Sequence, residues 1–462
     1  MANSLIGSFA NYNYIYQMKT TVAGAGLVGS LLSIYLAKRG HNVTVYERRP
    51  DMRDTSIPAG RSINLAMSDR GLRGLEGVGL ADEIRKICIP MHGRIIHDVK
   101  GNTNFQQYGK DGQFINSVSR GDLNKLLMTE AEKAGVKIHF SSRLASLDLN
   151  TATTKFIDAA GNETVDKADT VFGTDGAFSA ARMALMTGTD RFDYSQTYLE
   201  HGYKELTILP VNGEFAMDHN ALHIWPRGGY MLIALPNLDK TFTCTLFFPF
   251  DGEDSFATYN TVPKARAFFE RVFPDALALM PEFDEEWVNN PAASLCTVRC
   301  LPWKHKDKLL LLGDAAHAIV PFYGQGMNCG FEDCTVLDQL LGESDKLAQV
   351  FAEFETLRKP NANAVAELAL MNFVEMRDKV ADPMFILRKK IEAKFSQKHP
   401  TLWLPLYSMV TFSDIPYADA LNLGQWQNGI MEKVMAQPNI TERWDSLEIE
   451  EYMHSLVKEF SL

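Results

Sequence analysis

Lys19-Thr20-Thr21-Val22-Ala23-Gly24-Ala25-Gly26-Leu27-Val28-Gly29 decides the fold. Residues 19–22 are a short β run, the glycines make a turn, and the apolar stretch behind them reads as a helix that ends at Lys38-Arg39-Gly40, a basic last turn closed by glycine. Val43-Thr44-Val45-Tyr46-Glu47 is the next strand, which completes a β-α-β unit. Each glycine has a task. Gly24 makes the tight turn, Gly26 lets backbone approach a pyrophosphate, and Gly29 lets the helix pack against the strand, while the helix N-terminus favours phosphate. Glu47 can accept from both ribose hydroxyls and would repel a 2′-phosphate, so FAD or NAD, and not NADP, is the dinucleotide expected at this turn.

Working outward, Leu123, Leu126, Leu127, Ala131 and Ala134 recur at helical spacing behind Asp122, and Gly135 separates them from an alternating strand over 136–140. From residue 204 to 248 the period becomes two. Strands over 205–208, 221–225, 230–235 and 241–248, joined by Gly228-Gly229 and residues 237–240, predict an antiparallel sheet. Residues 308–312 restore a buried-strand signal and 327–395 read as successive helices. The expected architecture is α/β: a Rossmann-like dinucleotide domain over 18–190 and 290–360, an inserted antiparallel-sheet substrate domain over 191–289, and a helical region over 361–462. Residues 1–17 precede the first strand pattern, lack a basic n-region and long apolar core, and read as a disordered extension or a misassigned start.

Composition narrows the classes. The 462 residues carry 57 acidic and 46 basic side chains, a net charge of −11, with no basic stripe for nucleic acid. Six cysteines without CxxC spacing argue for reduced thiols and a cytoplasmic setting, and no metal site is expected. The longest apolar runs, over 230–236 and 402–410, fall far short of the roughly 20 residues that span a bilayer.

Two motifs separate FAD from NAD. Val171-Phe172-Gly173-Thr174-Asp175-Gly176 ends a strand in an Asp-Gly turn, and a strand over 309–312 runs into Gly313-Asp314-Ala315-Ala316-His317, where a carboxylate sits at the strand end that binds ligands in α/β folds. With the glycine turn, both resemble motifs of the flavoprotein aromatic hydroxylases, the group that includes p-hydroxybenzoate hydroxylase. The resemblance implies that Asp314 binds the ribityl chain, that the Asp175 turn serves cofactor and nicotinamide contacts, and that Arg120 touches the flavin. Pro321-Phe322-Tyr323-Gly324-Gln325-Gly326-Met327-Asn328 opens a further helix whose N-terminus, aimed at the flavin edge, would stabilise negative charge there.

Glu47-Arg48-Arg49-Pro50, Gly60-Arg61-Ser62-Ile63-Asn64-Leu65-Ala66, His201 to Leu206, Ala221 to Pro226 and Tyr407 to Phe412 lie outside the generic flavin motifs. They resemble the kynurenine-hydroxylating branch of that family, from about Met18 to beyond residue 420. That likeness implies bound FAD on Gly24, Gly26, Leu27, Gly29, Glu47, Arg48, Arg61, Ala66, Arg120, Asp175, Asp314, Pro321, Gly324, Gly326, Met327 and Asn328. It implies NADPH as a transient co-substrate, O2, and L-kynurenine as the substrate. Arg94 and Tyr108 would hold the substrate carboxylate, with Asn372 and Tyr407 completing the polar end. Phe247 and Phe322 would flank the aniline ring, Met376 would sit a turn beyond Asn372, and Gln325 would lie near the substrate carbonyl. A planar guanidinium and phenol hydroxyls suit a carboxylate. No side-chain acid or base is required, because the cofactor supplies the reactive oxygen. Eukaryotic members carry a membrane-anchoring tail, whereas residues 425–462 here are polar and charged, so a soluble, bacterial-type enzyme is implied. Oligomeric state stays open, with a homodimer among the options. The rival readings are a hydroxylase of another aromatic acid or amine, which would leave Arg94 and Asn372 unpaired, and a flavin-loaded interaction module.

Overall fold

A computed structural model describes residues 17–54, 64–109, 112–379 and 382–459. The expected extension, Gln17 apart, and Arg61 lie outside them. The first sheet has six strands in the order Lys304–His305, Leu309–Leu311, Thr170–Gly173, Lys19–Ala23, Asn42–Tyr46 and Lys137–His139, all parallel except the first pair. Val22, Val43, Val45, Val171, Phe172 and Leu309 to Leu312 are buried, as a parallel sheet covered on both faces requires. Helix Leu27–Lys38 packs on it, and its chain turns at Gly40 with φ +84°. The strand Leu309–Leu311 joins this sheet only after the chain has built a second one.

The second sheet has seven strands, in the order Ala293–Leu301, Asp193–Ile208, Phe242–Pro249, Met231–Pro236, Ala221–Pro226, Gly93–His97 and Thr103–Gln107. It differs from the expected insert. Gly93–His97 and Thr103–Gln107 come from within 18–190, and Gly93–His97 adds in parallel to Ala221–Pro226 with Leu222 opposite Arg94. Ala293–Leu301, also from outside 191–289, forms the other edge. Alternation told which residues share a face, but it could not tell that a partner strand lies more than a hundred residues away.

That alternation builds two layers. Leu222, Ile224, Met231, Ile233, Thr245 and Phe247 face a cavity, while His223, Trp225, Leu232, Ala234, Leu246 and Phe248 face the helices Val262–Val272, Pro274–Leu277 and Phe283–Asn289. Trp225 and Phe248 are fully buried there. Truncating such an aromatic costs roughly 3 to 5 kcal/mol.

Helices Gly326–Glu343, Leu347–Val374, Pro383–Lys398, Leu406–Phe412, Tyr417–Met435 and Leu447–Glu459 make up most of the C-terminal part. The second passes into a π-helical turn, Glu375–Lys379. Among the described residues no helix is long and apolar enough to cross a membrane.

Candidate active site

A cavity of about 270 Å³ runs from the first glycine turn to the second sheet. At one end lie Gly26, Leu27, Val28, Ala66, Arg120, Thr174, Gly176, Asp314, Pro321, Gly324, Gly326 and Met327; at the other lie Arg94, Tyr108, Phe247, Phe322, Asn372, Met376 and Tyr407.

The three glycines of the turn differ in what surrounds them. Gly24 has φ +103°, and a Cβ there would meet the Thr174 carbonyl oxygen at 2.7 Å; at Gly29 it would lie 2.0 Å from the Gly24 carbonyl oxygen. Both are therefore packing glycines. A Cβ on Gly26 meets nothing within 4 Å, so an open cradle stands over that backbone at the N-terminus of Leu27–Lys38. This is the space a pyrophosphate needs, and the residues fit FAD. Glu47 lies below the turn rather than in the cavity, its carboxylate accepting from Ala25 N and Arg49 N, both at 2.9 Å.

Asp314 is exposed at the end of Leu309–Leu311, and its turn is held from beneath. Asp333 is fully buried; its Oδ2 accepts from Gly313 N at 3.0 Å and meets His317 Nε2 at 2.6 Å, while its Oδ1 accepts from Arg358 Nε at 2.7 Å. Burial alone would raise its pKa, but His317 and Arg358 outweigh that and hold it down at about 2. Cys329 lies beside this group, with His317, Cys329 and Asp333 ligand atoms within 4.8 Å of one another. Arg358 already supplies the cation among them, 3.4 Å from Cys329 Sγ.

Besides Glu47, four expected contacts fall elsewhere. The half-buried Asp175 carboxylate accepts from Ser179 Oγ at 2.5 Å, Ala180 N at 2.6 Å and Ala181 N at 3.1 Å, so it fixes the start of helix Ala180–Thr187; its neighbours Thr174 and Gly176 reach the cavity. Asn328 is fully buried, donates to the carbonyls of Ala66 at 2.9 Å and Gly324 at 2.7 Å, and accepts from Ser68 N at 3.0 Å, stitching the 321–327 turn to its neighbour strand. Gln325 turns away from the cavity. Its Oε1 accepts from Tyr417 Oη at 2.9 Å, on the helix Tyr417–Met435, and its Nε2 donates to the Tyr323 carbonyl at 3.4 Å. Arg48 is exposed and does not line the cavity.

At the other end, Tyr108 and Tyr407 are stacked, with ring centroids 5.2 Å apart and planes at 10°. The Arg94 guanidinium lies 5.9 Å and 5.8 Å from their ring centres. Among the described residues it makes no hydrogen bond or ion pair. Burial raises both phenols, and Arg94 pulls the other way, so they remain neutral hydrogen-bond donors. Phe247 and Phe322 meet at 4.8 Å, and Phe322 stacks on Phe373 at 4.0 Å. Asn372 Nδ2 donates to the Phe322 carbonyl at 2.7 Å and lies 3.2 Å from Met376 Sδ, which sits on the π turn. Asn372 thus also fixes the turn that carries Phe322.

Sequence reading missed Tyr203, Leu222, Ile224, Met231, Ile233, Leu235 and Thr245, all of which line the cavity. Their period-two spacing was visible, but only the sheet order shows which face is turned inward. Tyr323 also lines it, stacked on Tyr407 at 5.7 Å.

A family profile described as an FAD binding domain matches residues 17–369. Kynurenine 3-monooxygenase of Flavobacterium johnsoniae is 50% identical over 445 residues, 96% of this chain and 99% of that one. The enzyme of the same name from Myxococcus xanthus is 53% identical over 418 residues, 90% of each chain. Among solved structures, a tetrameric form of 2-methyl-3-hydroxypyridine-5-carboxylic acid oxygenase has a TM-score of 0.65 at 20% identity, covering 80% of this chain and 95% of that one, which shows a shared fold. With an open cradle over Gly26, an aspartate at the Asp314 turn and identity of half or more across nine-tenths of the chain, this protein belongs to the FAD-binding family of the kynurenine 3-monooxygenases.

Proposed function

We propose that this chain is an FAD-dependent monooxygenase that uses NADPH and O2 to hydroxylate L-kynurenine ortho to its ring amino group, yielding 3-hydroxy-L-kynurenine. The observation that carries the site assignment is Arg94: a half-buried guanidinium between two phenols, with no anion paired to it among the described residues. An amino-acid carboxylate supplies that anion, and a guanidinium fork can bind it through two parallel hydrogen bonds. A substrate without such a head would leave the charge uncompensated, which favours kynurenine over a simple aromatic amine.

When bound, FAD supplies the activated oxygen. The chain's part is placement. Gly26 and the following helix N-terminus take the pyrophosphate, Asp314 takes the ribityl hydroxyls, and the N-terminus of Gly326–Glu343, with Gly326 and Met327 at the cavity wall, favours negative charge on the flavin's edge. Arg94, Tyr108 and Tyr407 fix the amino-acid head, while Phe247 and Phe322 hold the aryl ring. The apolar face formed by Leu222, Ile224, Met231 and Ile233 excludes water, which protects an oxygen-transfer site from unproductive loss of peroxide.

The deciding experiment records the flavin spectrum of the purified protein, then O2 uptake and NADPH oxidation with and without L-kynurenine. Stimulated uptake with 3-hydroxykynurenine as product is the expected result; flavin-free protein saturated with FAD that still binds none overturns the reading. A cytoplasmic setting belongs to the same reading and is supported by six free cysteines. A homodimer is the oligomeric state we would test first, by light scattering.

A further inference from the structure

On the face of the seven-stranded sheet turned away from the cavity, two buried histidines and a part-exposed aspartate form a row. His97 Nδ1 lies 2.9 Å from Asp275 Oδ2, His97 Nε2 lies 2.9 Å from His223 Nδ1, and His223 Nε2 lies 2.8 Å from the Asp218 carbonyl oxygen. Both ends of the row are acceptors. Three hydrogen bonds therefore need three ring protons, and two neutral imidazoles carry only two. Asp275 does not supply the third: burial would raise its carboxyl, but the hydrogen bonds that its Oδ2 receives from His97 and, at 2.8 Å, from Trp225 Nε1 outweigh that and hold it below the ordinary carboxylate range, so it is ionised and accepts only. Arg227 cannot supply it either, since its donors go to the carbonyls of Val272, His97, Pro226 and Asp98. The extra proton belongs on His97, because burial holds His223 down at about 4. The His97 ring stacks 4.0 Å from Trp225, an arrangement that suits a cation.

We propose that His97 is a buried imidazolium and a positioning residue for Arg94. His97 ends the strand Gly93–His97, on which side chains alternate, so Arg94 faces the cavity and His97 the opposite layer. Outside it, among the described residues, lies Thr103–Gln107, an exposed edge. Its far end is instead gripped from below, by Asp275 on helix Pro274–Leu277 and by Arg227 on the His97 carbonyl. Loss of the extra proton leaves two lone pairs facing each other across one of these contacts and loosens that grip, three residues from the substrate arginine. The charged groups facing the pair are Asp275 on that helix, Asp218 in the loop before Ala221–Pro226, and Arg227 and Asp98 at the strand ends. The inference rests on the assignment of Arg94 to the kynurenine carboxylate.

The test uses the full-length, FAD-loaded protein. Nitrogen-15 histidine spectra should show one ring with both nitrogens protonated beside a neutral one, and His97→Gln should remove it. Kynurenine affinity, read from the flavin absorbance, should weaken by about tenfold once the pH is high enough to remove that ring's extra proton, the size of one charged hydrogen bond. In Asp275→Asn the imidazolium loses its counter-charge, and no amide atom at the Oδ2 position can both accept from Trp225 Nε1 and donate to His97 Nδ1, so the loss of affinity should set in at lower pH than in wild type. Titration of kynurenine itself is common to both proteins and cancels in the comparison. Two singly protonated rings at every pH would overturn the buried cation without need of any variant. Identical pH curves for wild type and Asp275→Asn would overturn the positioning role alone, whereas failure of kynurenine to bind wild type at any pH would overturn the substrate reading and that role with it.

Discussion

Arg94 and Gly26 are single residues whose chemistry separates substrate from cofactor. Truncating Arg94 to Ala removes charge-assisted hydrogen bonds worth about 1.5 to 3 kcal/mol, a loss of roughly ten- to hundredfold in kynurenine affinity. Flavin content should not change, and Lys should rescue only in part, because an ammonium cannot reproduce the planar fork. Kynurenine titration of the flavin spectrum checks this; normal affinity with lost flavin would move Arg94 to the cofactor site. The glycines give a sharper contrast. Gly26→Leu adds a side chain into open space, so the protein should fold with an unchanged apo melting temperature yet retain no FAD. Gly29→Ala drives a Cβ to 2.0 Å from the Gly24 carbonyl and should damage the fold itself, which circular dichroism would report. The glycine turn was legible in the sequence because its chemistry is local. Asp175, Gln325 and Asn328 were not, since a motif names a position without saying which way the side chain turns; the Tyr417 hydroxyl that takes Gln325 lies on a distant helix.

Between elements, Asp333 ties helix Gly326–Glu343 to the Gly313-Asp314 turn and to Arg358 on Leu347–Val374. Arg70 from helix Asp69–Glu76 and Arg358 share Glu332, one on each oxygen, at 2.6 Å. Asp333→Asn leaves Arg358 and His317 without their carboxylate, and breaking a buried pair in this way costs about 3 to 5 kcal/mol. The sign of the pH dependence follows from the depressed pKa. A carboxylate held at about 2 when folded, against an ordinary value of 3.8, adds stability that is complete above that ordinary value and is lost as pH falls toward 2. Denaturant unfolding of both proteins should give a difference that is constant above about pH 5 and shrinks below it. A constant difference down to pH 2 would remove the ionised Asp333 from the account. Here the sequence announced the helix and the strand-Asp turn but not their link, because His317 and Asp333 lie 16 residues apart and no local pattern joins them. The second sheet repeats the point: its inner strands were readable by alternation, and its Gly93–His97 partner, bearing Arg94, was not.

The cavity has walls from all parts of the molecule, and the C-terminal helices supply more than cover. Tyr407 reaches the cavity from helix Leu406–Phe412, and Tyr417 takes Gln325 from below. Arg70, whose side chain is 1% exposed, donates Nε to the Val410 carbonyl at 2.9 Å and also bonds the Ile415 carbonyl, with its guanidinium 4.2 Å over the Tyr417 ring. A chain ended at residue 400 would retain Arg94 and, in the glycine turn and Asp314, every residue proposed for the pyrophosphate and ribityl chain. Yet it would strand a buried guanidinium with only Glu332 beside it and expose Leu368, Ala369 and Phe373, which pack against Met409, Val410 and Tyr417. Loss of those bonds at a charged group, each worth about 1.5 to 3 kcal/mol, is of the order of a domain's whole stability when the apolar loss is added. The truncated chain should therefore aggregate or melt well below the full-length protein, and not persist as a flavoprotein that merely fails to bind kynurenine. Tyr417→Phe isolates the mildest part of that loss. It leaves Gln325 Oε1 without its donor, lowers stability by about 1 to 3 kcal/mol, and should leave the KM for kynurenine within twofold, because neither side chain touches the cavity. Thermal unfolding and steady-state kinetics on the same preparation check both halves, and a large rise in KM with unchanged stability would return Gln325 to the substrate.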